Sequence, residues 1–157
     1  MLDFRALRHM PTIKVAMTTF PHSIDIDASL ADAWQMMLEH GIRHLPVTEA
    51  GELVGILTER DLRLVLRPGS EKTGGAVRIA CTLDAYDVDD DTPLDVVARA
   101  MAERQIGSAL VVRYGKLVGI LTSTDVCRLL AELLESRFGG DGGPVDPPGK
   151  RRLRAAS

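Results

Sequence analysis

Two polar residue pairs stand at equivalent places in two copies of one short sequence. Thr58 and Asp61 follow the apolar run Leu-Val-Gly-Ile-Leu, and the same run precedes Thr122 and Asp125 64 residues later. A hydroxyl can donate and accept hydrogen bonds, and an ionised carboxylate accepts several. Each pair could therefore bind a polar ligand, or it could hold the first turn of a helix.

The second of these roles is a helix capping box, in which a threonine and an acidic residue three positions later satisfy each other's backbone N–H groups. For either copy alone, capping is the commoner use of such a pair. The two roles are compatible, and the duplication of the pair favours an additional role in binding.

The pairs belong to a longer internal repeat. Residues 24–66 align without a gap onto residues 88–130, with 16 of 43 positions identical. A repeat of this length indicates two copies of one supersecondary unit, neither of which can bury its apolar face alone.

Each copy predicts the element order β-α-β-β-α, and the fold class is therefore α/β (α+β). In the first copy a short strand at 24–26 precedes a helix, which Ser29 caps and Gly41 ends. Strands at 45–48 and 53–57 follow, and Thr58 opens a second helix. The second copy predicts strands at Val88, 109–112 and 117–121, a helix capped by Thr92 with Pro93 in its first turn, and a last helix that stops at Gly139.

The remaining segments read as connections. Residues 1–11 form a lead-in with a short helix that Pro11 breaks, and Ile13–Val15 resembles a strand. The first repeat spans 12–67, a linker spans 68–76 and the second repeat spans 77–138. Residues 139–157 are rich in Gly and Pro and end in a basic cluster, which predicts a disordered basic tail.

Composition indicates a globular protein of the reducing cytoplasm. Aromatic residues make up only 4% of the chain, so the core must be built from aliphatic residues and methionine. The net charge of −3 is too weak to indicate nucleic acid or a membrane surface as a partner. No apolar run reaches membrane-spanning length, and the charged first twenty residues do not resemble a secretory signal. Cys81 and Cys127 lack metal-ligand spacing and are expected to be buried free thiols.

The tandem unit ending in Gly-h-h-Thr-x-x-Asp, where h is an apolar residue, closely resembles the CBS domain. The resemblance covers about residues 12–135, and two segments carry it in the first copy: His44–Val47 and Gly51–Leu62. The second copy carries it in Ala109–Val112 and Gly115–Val126, with Leu110 in place of the usual proline, Pro46 of the first copy.

This resemblance implies a pair of repeats packed with pseudo-twofold symmetry around two clefts. Each cleft can bind an adenine nucleotide or adenosyl compound: the aspartate accepts ribose hydroxyls, and the other repeat supplies the adenine wall. The first cleft would comprise Thr58, Arg60 and Asp61, a wall of Thr82, Tyr86, Val88, Ile106 and Gly107, and Arg43 and His44 near the phosphates. The second cleft would comprise Thr122, Thr124 and Asp125, with a wall of Thr18, His22, Ile24, Ile42 and Arg43.

The two clefts are expected to differ in charge. Arg43, His44 and Arg60 would make the first cleft cationic, whereas Gly107 and Ser108 stand at the local phosphate position of the second. The first cleft is therefore expected to prefer a phosphorylated ligand more strongly than the second.

The expected function is regulatory rather than catalytic. No GxSxG, P-loop or GxGxxG pattern is present, and His40 and His44 do not form a metal-binding motif, since Gly41 lies between them. The acidic run at 87–91 is interpreted as a solvated loop, in preference to the alternative of a divalent-cation site bridging to a nucleotide phosphate. The chain is expected to be a homodimer with no obligatory cofactor, binding an adenine-containing molecule and signalling in trans to a regulated protein of unknown identity. The alternatives are a ligand-free dimerisation scaffold and an enzyme acting on the nucleotide.

Overall fold

The computed structural model describes residues 8–66 and 74–139 and contains two four-stranded sheets, each in contact with two helices. In chain order the elements are β1 (Thr18–Thr19), β2 (Ile24–Asp25), α1 (Leu30–His40), β3 (His44–Glu49), β4 (Glu52–Thr58), α2 (Glu59–Val65), β5 (Thr82–Leu83), β6 (Asp87–Asp89), α3 (Leu94–Glu103), β7 (Ser108–Arg113), β8 (Lys116–Thr122) and α4 (Ser123–Phe138). The predicted order β-α-β-β-α is confirmed in both repeats, and with it the α+β class.

The two repeats are interleaved, because each sheet takes its last strand from the other half of the chain. One sheet has the order β2-β3-β4-β5 and the other β1-β8-β7-β6. Thr82 of β5 pairs with Ile56 of β4, and Thr18 of β1 pairs with Ile120 of β8. Ile56 and Ile120 are equivalent residues of the repeat, and so are Thr18 and Thr82. The two exchanged strands therefore pair in the same register.

The glycine in each Leu-Val-Gly-Ile-Leu run is required by the exchanged strand. A side-chain carbon at Gly55 would collide with the backbone carbonyl of Thr82, and one at Gly119 would collide with the sulfur of Met17. Both copies therefore have glycine at this position because the chain of the exchanged strand lies very close to it, β5 beside β4 and β1 beside β8.

Helix α1 begins and ends as the sequence predicts. The Ser29 hydroxyl accepts a hydrogen bond from the backbone N–H of Asp32 at 3.0 Å, and Gly41 adopts a left-handed conformation with φ +62°. Left-handed geometry at this position is the common reason for a glycine at a helix end.

Helix α3 differs from the prediction at its start. Pro93, not Thr92, is the N-cap, and it makes no side-chain cap bond. The preceding segment supplies partners instead: the Leu94 N–H donates to the Pro11 carbonyl and the Ile13 N–H donates to the Thr92 carbonyl, both at 2.9 Å. A tertiary contact has replaced the local cap.

The predicted strand at Ile13–Val15 is also wrong. This segment is a 3-10 helix, matched by another at Val77–Ile79 before the second repeat. Lys14 pairs with Asp90 at 3.2 Å, and Arg113 donates two hydrogen bonds to the same carboxylate. The Arg113 and Lys14 cations hold the pKa of Asp90 below its usual range. The ion pair between Lys14 and Asp90 joins the Ile13–Val15 segment to the second repeat.

The core has one apolar cluster in each repeat and a third where the sheets meet. The third consists of Ile56, Leu110 and Ile120, the last two from the second repeat. Helices α1, α2 and α3 bury residues against their sheets, but α4 contains no fully buried residue. Three apolar residues of α4, Leu130, Leu133 and Leu134, are 52, 39 and 47% exposed.

Three sequence expectations concern other features of the chain. Cys81 is half-buried and Cys127 is exposed, so the expectation that both thiols are buried is wrong. Most of the lead-in helix and of the linker, and the basic tail beyond residue 139, lie outside the described residues. Within 8–66 and 74–139, every helix is too short or too polar to cross a bilayer.

Candidate ligand-binding clefts

Both threonine–aspartate pairs form capping boxes. The Thr58 backbone N–H donates to Asp61 Oδ2 at 3.0 Å, the Thr58 hydroxyl donates to the same oxygen at 2.6 Å, and the Asp61 N–H donates to the hydroxyl at 3.2 Å. Thr122 and Asp125 repeat these bonds at 2.9, 2.6 and 3.3 Å. The predicted capping role is thus present at the starts of α2 and α4.

Each capping box occupies one carboxylate oxygen and leaves the other for a different partner. Among the described residues, Asp61 Oδ1 accepts no hydrogen bond, whereas Asp125 Oδ1 accepts one from Arg128 Nη1 at 3.1 Å. The threonine proton is committed to the aspartate, so the oxygen of each pair that can accept from a ligand is chiefly Oδ1.

The first cavity, which we call the Asp61 cleft, has a volume of about 370 Å³ and lies between the repeats. It brings together seven of the residues predicted for this cleft: His44, Thr58, Asp61, Thr82, Tyr86, Ile106 and Gly107. Ile56, Asp84, Ala85, Arg104, Ser108 and Leu110 complete its lining. The carboxylate comes from the first repeat and the facing wall from the second.

The second cavity, the Asp125 cleft, has a volume of about 500 Å³. It brings together seven predicted residues: Thr18, His22, Ile42, Arg43, Thr122, Thr124 and Asp125. Thr19, Phe20, Pro21, Gly41, His44, Ile120 and Arg128 complete it. Both volumes fall within the range of small-molecule sites.

Three residues predicted as lining lie elsewhere. Arg60 is exposed on α2 outside the cavity, Val88 packs against the core of the second repeat, and Ile24 is buried in the core of the first. Ile24 and Val88 occupy equivalent strand positions whose side chains face the helices, so the same error occurs in both copies.

Arg43 lies in the Asp125 cleft and not in the Asp61 cleft, where the sequence placed it near the phosphates. Its Nη2 donates to Thr124 Oγ1 at 3.5 Å, across the interface between the repeats. With Arg60 also absent, the Asp61 cleft does not contain the cluster of cations that was expected there.

His44 lies at the border of the two clefts and lines both. Burial, and then the neighbouring Arg43 cation, lower the pKa of His44, while the Asp61 and Asp125 carboxylates oppose that shift. A side-chain carbon at Gly107 would approach His44 Nε2 to 3.0 Å, so the glycine leaves room for the imidazole.

An aromatic ring meets a planar nitrogen-containing group at equivalent places in the two clefts. The Arg104 guanidinium lies 4.5 Å from the centre of the Tyr86 ring, and His22 stacks on His40 with ring centres 3.7 Å apart. Arg104 and Arg128 were not predicted as site residues. Arg104 follows the end of α3 and Arg128 lies on α4, and only tertiary packing brings them to the clefts.

The mouths of the clefts carry another equivalent pair. Phe20 and Asp84 both have positive φ, 47° and 53°, and the Phe20 side chain is 82% exposed. Positive φ in a bulky residue is an uncommon conformation. The same backbone turn therefore presents a phenyl ring at one cleft and a carboxylate at the other.

Comparison with known proteins identifies the class that this fold and these clefts define. The sequence model described as "CBS domain" matches residues 13–68 and 81–132. The chain belongs to the CBS-domain family, and it contains the domain twice.

Solved structures of CBS pairs resemble it closely. The CBS domain pair of protein MJ0100, in complex with 5′-methylthioadenosine and S-adenosyl-L-methionine, superposes with a TM-score of 0.73 at 28% identity, covering 80% of this chain and 99% of that one. CBSX2 in complex with AMP gives a TM-score of 0.69 at 30% identity, covering 78% and 98%.

A curated relative is an enzyme of much greater length. The L-aspartate semialdehyde sulfurtransferase of Methanocaldococcus jannaschii is 33% identical over 119 residues, which are 74% of this chain and 23% of that protein. The chain thus spans about a quarter of this relative.

Proposed function

We propose that this CBS pair binds adenine nucleotides or adenosyl compounds in its two clefts and acts as a non-catalytic regulatory module. The observation that carries the proposal is the composition of each cleft: a carboxylate at a helix start from one repeat faces a wall from the other. In this proposal Asp61 Oδ1 and Asp125 Oδ1 accept ribose hydroxyls, and a planar base contacts the apolar side chains of the walls, Ile106 in one cleft and Ile42 in the other. The adenosyl ligands and AMP held by the two similar pairs support this ligand class.

A ligand in either cleft would cross-link the two repeats. It would contact the aspartate of one sheet and the wall of the other, and so would favour one arrangement of the pair over others. A ligand shifts a conformational equilibrium only through such differential contacts. We infer that the resulting change of shape is the signal, and that a separate protein in the cytoplasm receives it.

A binding assay with a capping control tests the site. Asp61→Ala and Asp125→Ala together should weaken binding of adenosine, AMP, ATP or S-adenosylmethionine about ten- to a hundredfold, because a charge-assisted hydrogen bond is lost at each cleft. These variants also remove helix caps. Ser29→Ala removes the cap of α1 outside both clefts and should cost about 1 kcal/mol of stability without weakening binding.

The outcomes separate the candidate functions. If no adenine compound raises the melting temperature and none is carried through purification, the protein is the ligand-free scaffold instead. If ATP is converted to product on incubation, the non-catalytic assignment is wrong.

We further propose that the chain forms a homodimer through α3 and α4. Leu130, Leu134 and Phe138 on α4 are 52, 47 and 77% exposed. An apolar groove of about 460 Å³ runs between residues 8–11, α3 and α4. A second copy of the same apolar face would cover this surface.

The dimer is tested by light scattering at micromolar concentration. The wild type should have twice the monomer mass of 17.1 kDa, and Leu130→Asp with Leu133→Asp should return it to that mass. Tyr114→Asp, at a 96% exposed position in the β7–β8 turn, is the matched control and should remain dimeric. A monomeric wild type would contradict the proposal.

A further inference from the structure

We propose that the two clefts divide ligands by charge. The Asp125 cleft takes a phosphorylated adenine nucleotide, and the Asp61 cleft takes an adenosyl compound without net negative charge, such as a neutral thioether or a cationic sulfonium. This inference rests on the proposed function, which it deepens, and it is opposite to the preference that the sequence predicts.

The repeat provides an internal comparison, because the same fold and the same threonine–aspartate pair occur in both clefts. Charged residues occupy four positions in one cleft whose equivalents in the other repeat carry no formal charge. The pairs are Arg43 and Gly107, Arg128 and Leu64, Asp84 and Phe20, and Arg104 and His40. The first three differences make the Asp125 cleft more positive or the Asp61 cleft more negative, and Arg104, whose guanidinium lies over the Tyr86 ring, is the one difference in the opposite direction.

Two arginines converge on the start of α4 in the Asp125 cleft. Arg43 reaches Thr124 from the other repeat, and Arg128 donates to Asp125 Oδ1 from the second turn of the same helix. Both guanidinium groups keep unused donors in these contacts, since each has five N–H groups. A phosphate between them would gain two charge-assisted partners.

The Asp61 cleft offers an anion much less. Asp61 and Asp84 place two carboxylates in its lining, and Arg104 is its one arginine. That guanidinium lies over the Tyr86 ring. Burial and the Arg43 cation lower the pKa of His44, the remaining basic group, which disfavours its cationic form. A ligand that brings a sulfonium or no charge avoids repulsion there.

The test measures AMP and adenosine in each cleft separately by calorimetry. Asp61→Ala leaves the Asp125 cleft intact, and Asp125→Ala leaves the Asp61 cleft intact. We expect AMP to bind the Asp125 cleft at least tenfold more tightly than adenosine, with an advantage that falls as salt rises. In the Asp61 cleft, adenosine and S-adenosylmethionine should bind at least as tightly as AMP.

Single neutral substitutions then assign the effect to residues. In the Asp61→Ala background, Arg43→Gln should reduce AMP affinity about tenfold and change adenosine affinity less than about twofold. In the Asp125→Ala background, Asp84→Asn should raise AMP affinity. Arg60→Gln, at an exposed arginine outside both cavities, is the matched control and should change neither ratio.

Three results would overturn the division. They are an equal AMP-to-adenosine ratio in the two clefts, a stronger preference for AMP in the Asp61 cleft, and an unchanged ratio in Arg43→Gln. A protein that binds none of these compounds would instead remove the proposed function and this inference together, which the wild-type titration reveals before any variant is made.

Discussion

At the scale of single residues, one side chain can serve both fold and ligand. The carboxylates of Asp61 and Asp125 use Oδ2 to close the capping boxes of α2 and α4. The other oxygen, Oδ1, differs between the two groups. Asp125 Oδ1 accepts a hydrogen bond from Arg128, whereas Asp61 Oδ1 accepts none from the described residues. Capping thus fixes the orientation of a carboxylate before a ligand arrives, and the entropy of ordering that side chain is lost on folding, not on binding.

His44 carries a prediction about pH. Because the pKa of His44 is lowered in the fold below the ordinary histidine value of about 6.5, protonation favours the unfolded chain. The stability that His44 contributes is present at neutral pH and decreases as pH falls below 6.5 towards the folded-state pKa. Burial lowers this pKa most and the Arg43 cation adds to the shift, while the Asp61 and Asp125 carboxylates oppose it.

The measurement is the free energy of unfolding of wild type and His44→Gln between pH 7.5 and 5, a span chosen around the ordinary histidine pKa of about 6.5. The wild type should lose more stability than the variant on acidification. Parallel curves for wild type and His44→Gln would show that the imidazole titrates normally.

At the scale of elements, the exchanged strands leave little room for a side chain at Gly55 and Gly119. Gly55→Ala would place a carbon against the Thr82 carbonyl, and backbone cannot move aside as a flexible side chain can. We expect a loss of about 1–3 kcal/mol in the free energy of unfolding, the usual cost of overpacking.

The control for this prediction is Gly74→Ala. Gly74 has open space around its α-carbon and no positive φ, so alanine should be neutral or slightly stabilising there. Gly119→Ala should cost less than Gly55→Ala, since its nearest obstacle is the flexible Met17 side chain. Equal stability of the Gly55→Ala and Gly74→Ala proteins in urea would refute the argument.

Much of this architecture could be predicted from sequence. Apolar stripes and end signals such as Ser29 and Gly41 placed the helices, and apolar runs placed the long strands. The two-residue strands β1 and β5 were missed because both residues of each are exposed, so neither carries the buried apolar residue that marked the equally short β2, and because each pairs only with a strand of the other repeat. Arg43 was expected in both clefts and lies in the Asp125 cleft alone for a related reason: the packing of the repeats decides which cavity a bordering side chain enters.

At the scale of the whole molecule, the two repeats should unfold as one cooperative unit. Each sheet needs a strand from the other half, and Ile56 packs with Leu110 and Ile120 across the interface. Trp34, the single tryptophan, packs against the core of the first repeat. Its fluorescence therefore reports that repeat, while far-ultraviolet circular dichroism reports both.

The two signals should give coincident urea transitions, as two-state unfolding requires. Gly119→Ala, a change in the second repeat, should shift the Trp34 transition as far as it shifts the circular dichroism. If the urea midpoint of the Trp34 fluorescence transition is unchanged by this substitution, the repeats unfold independently.

The interleaving also imposes an order of events on the ribosome. When β4 has been synthesised, the first sheet still has an open edge at that strand, and the edge stays unpaired until Thr82 and Leu83 emerge. Thr18 and Thr19, by contrast, are made near the beginning and have no partner until β8 appears about a hundred residues later. At ordinary elongation rates of about 5–20 residues per second, the nascent chain carries one unmatched segment for several seconds. Each half therefore depends on the other, and a nascent chain can complete both sheets only after β8, which ends at Thr122, has emerged.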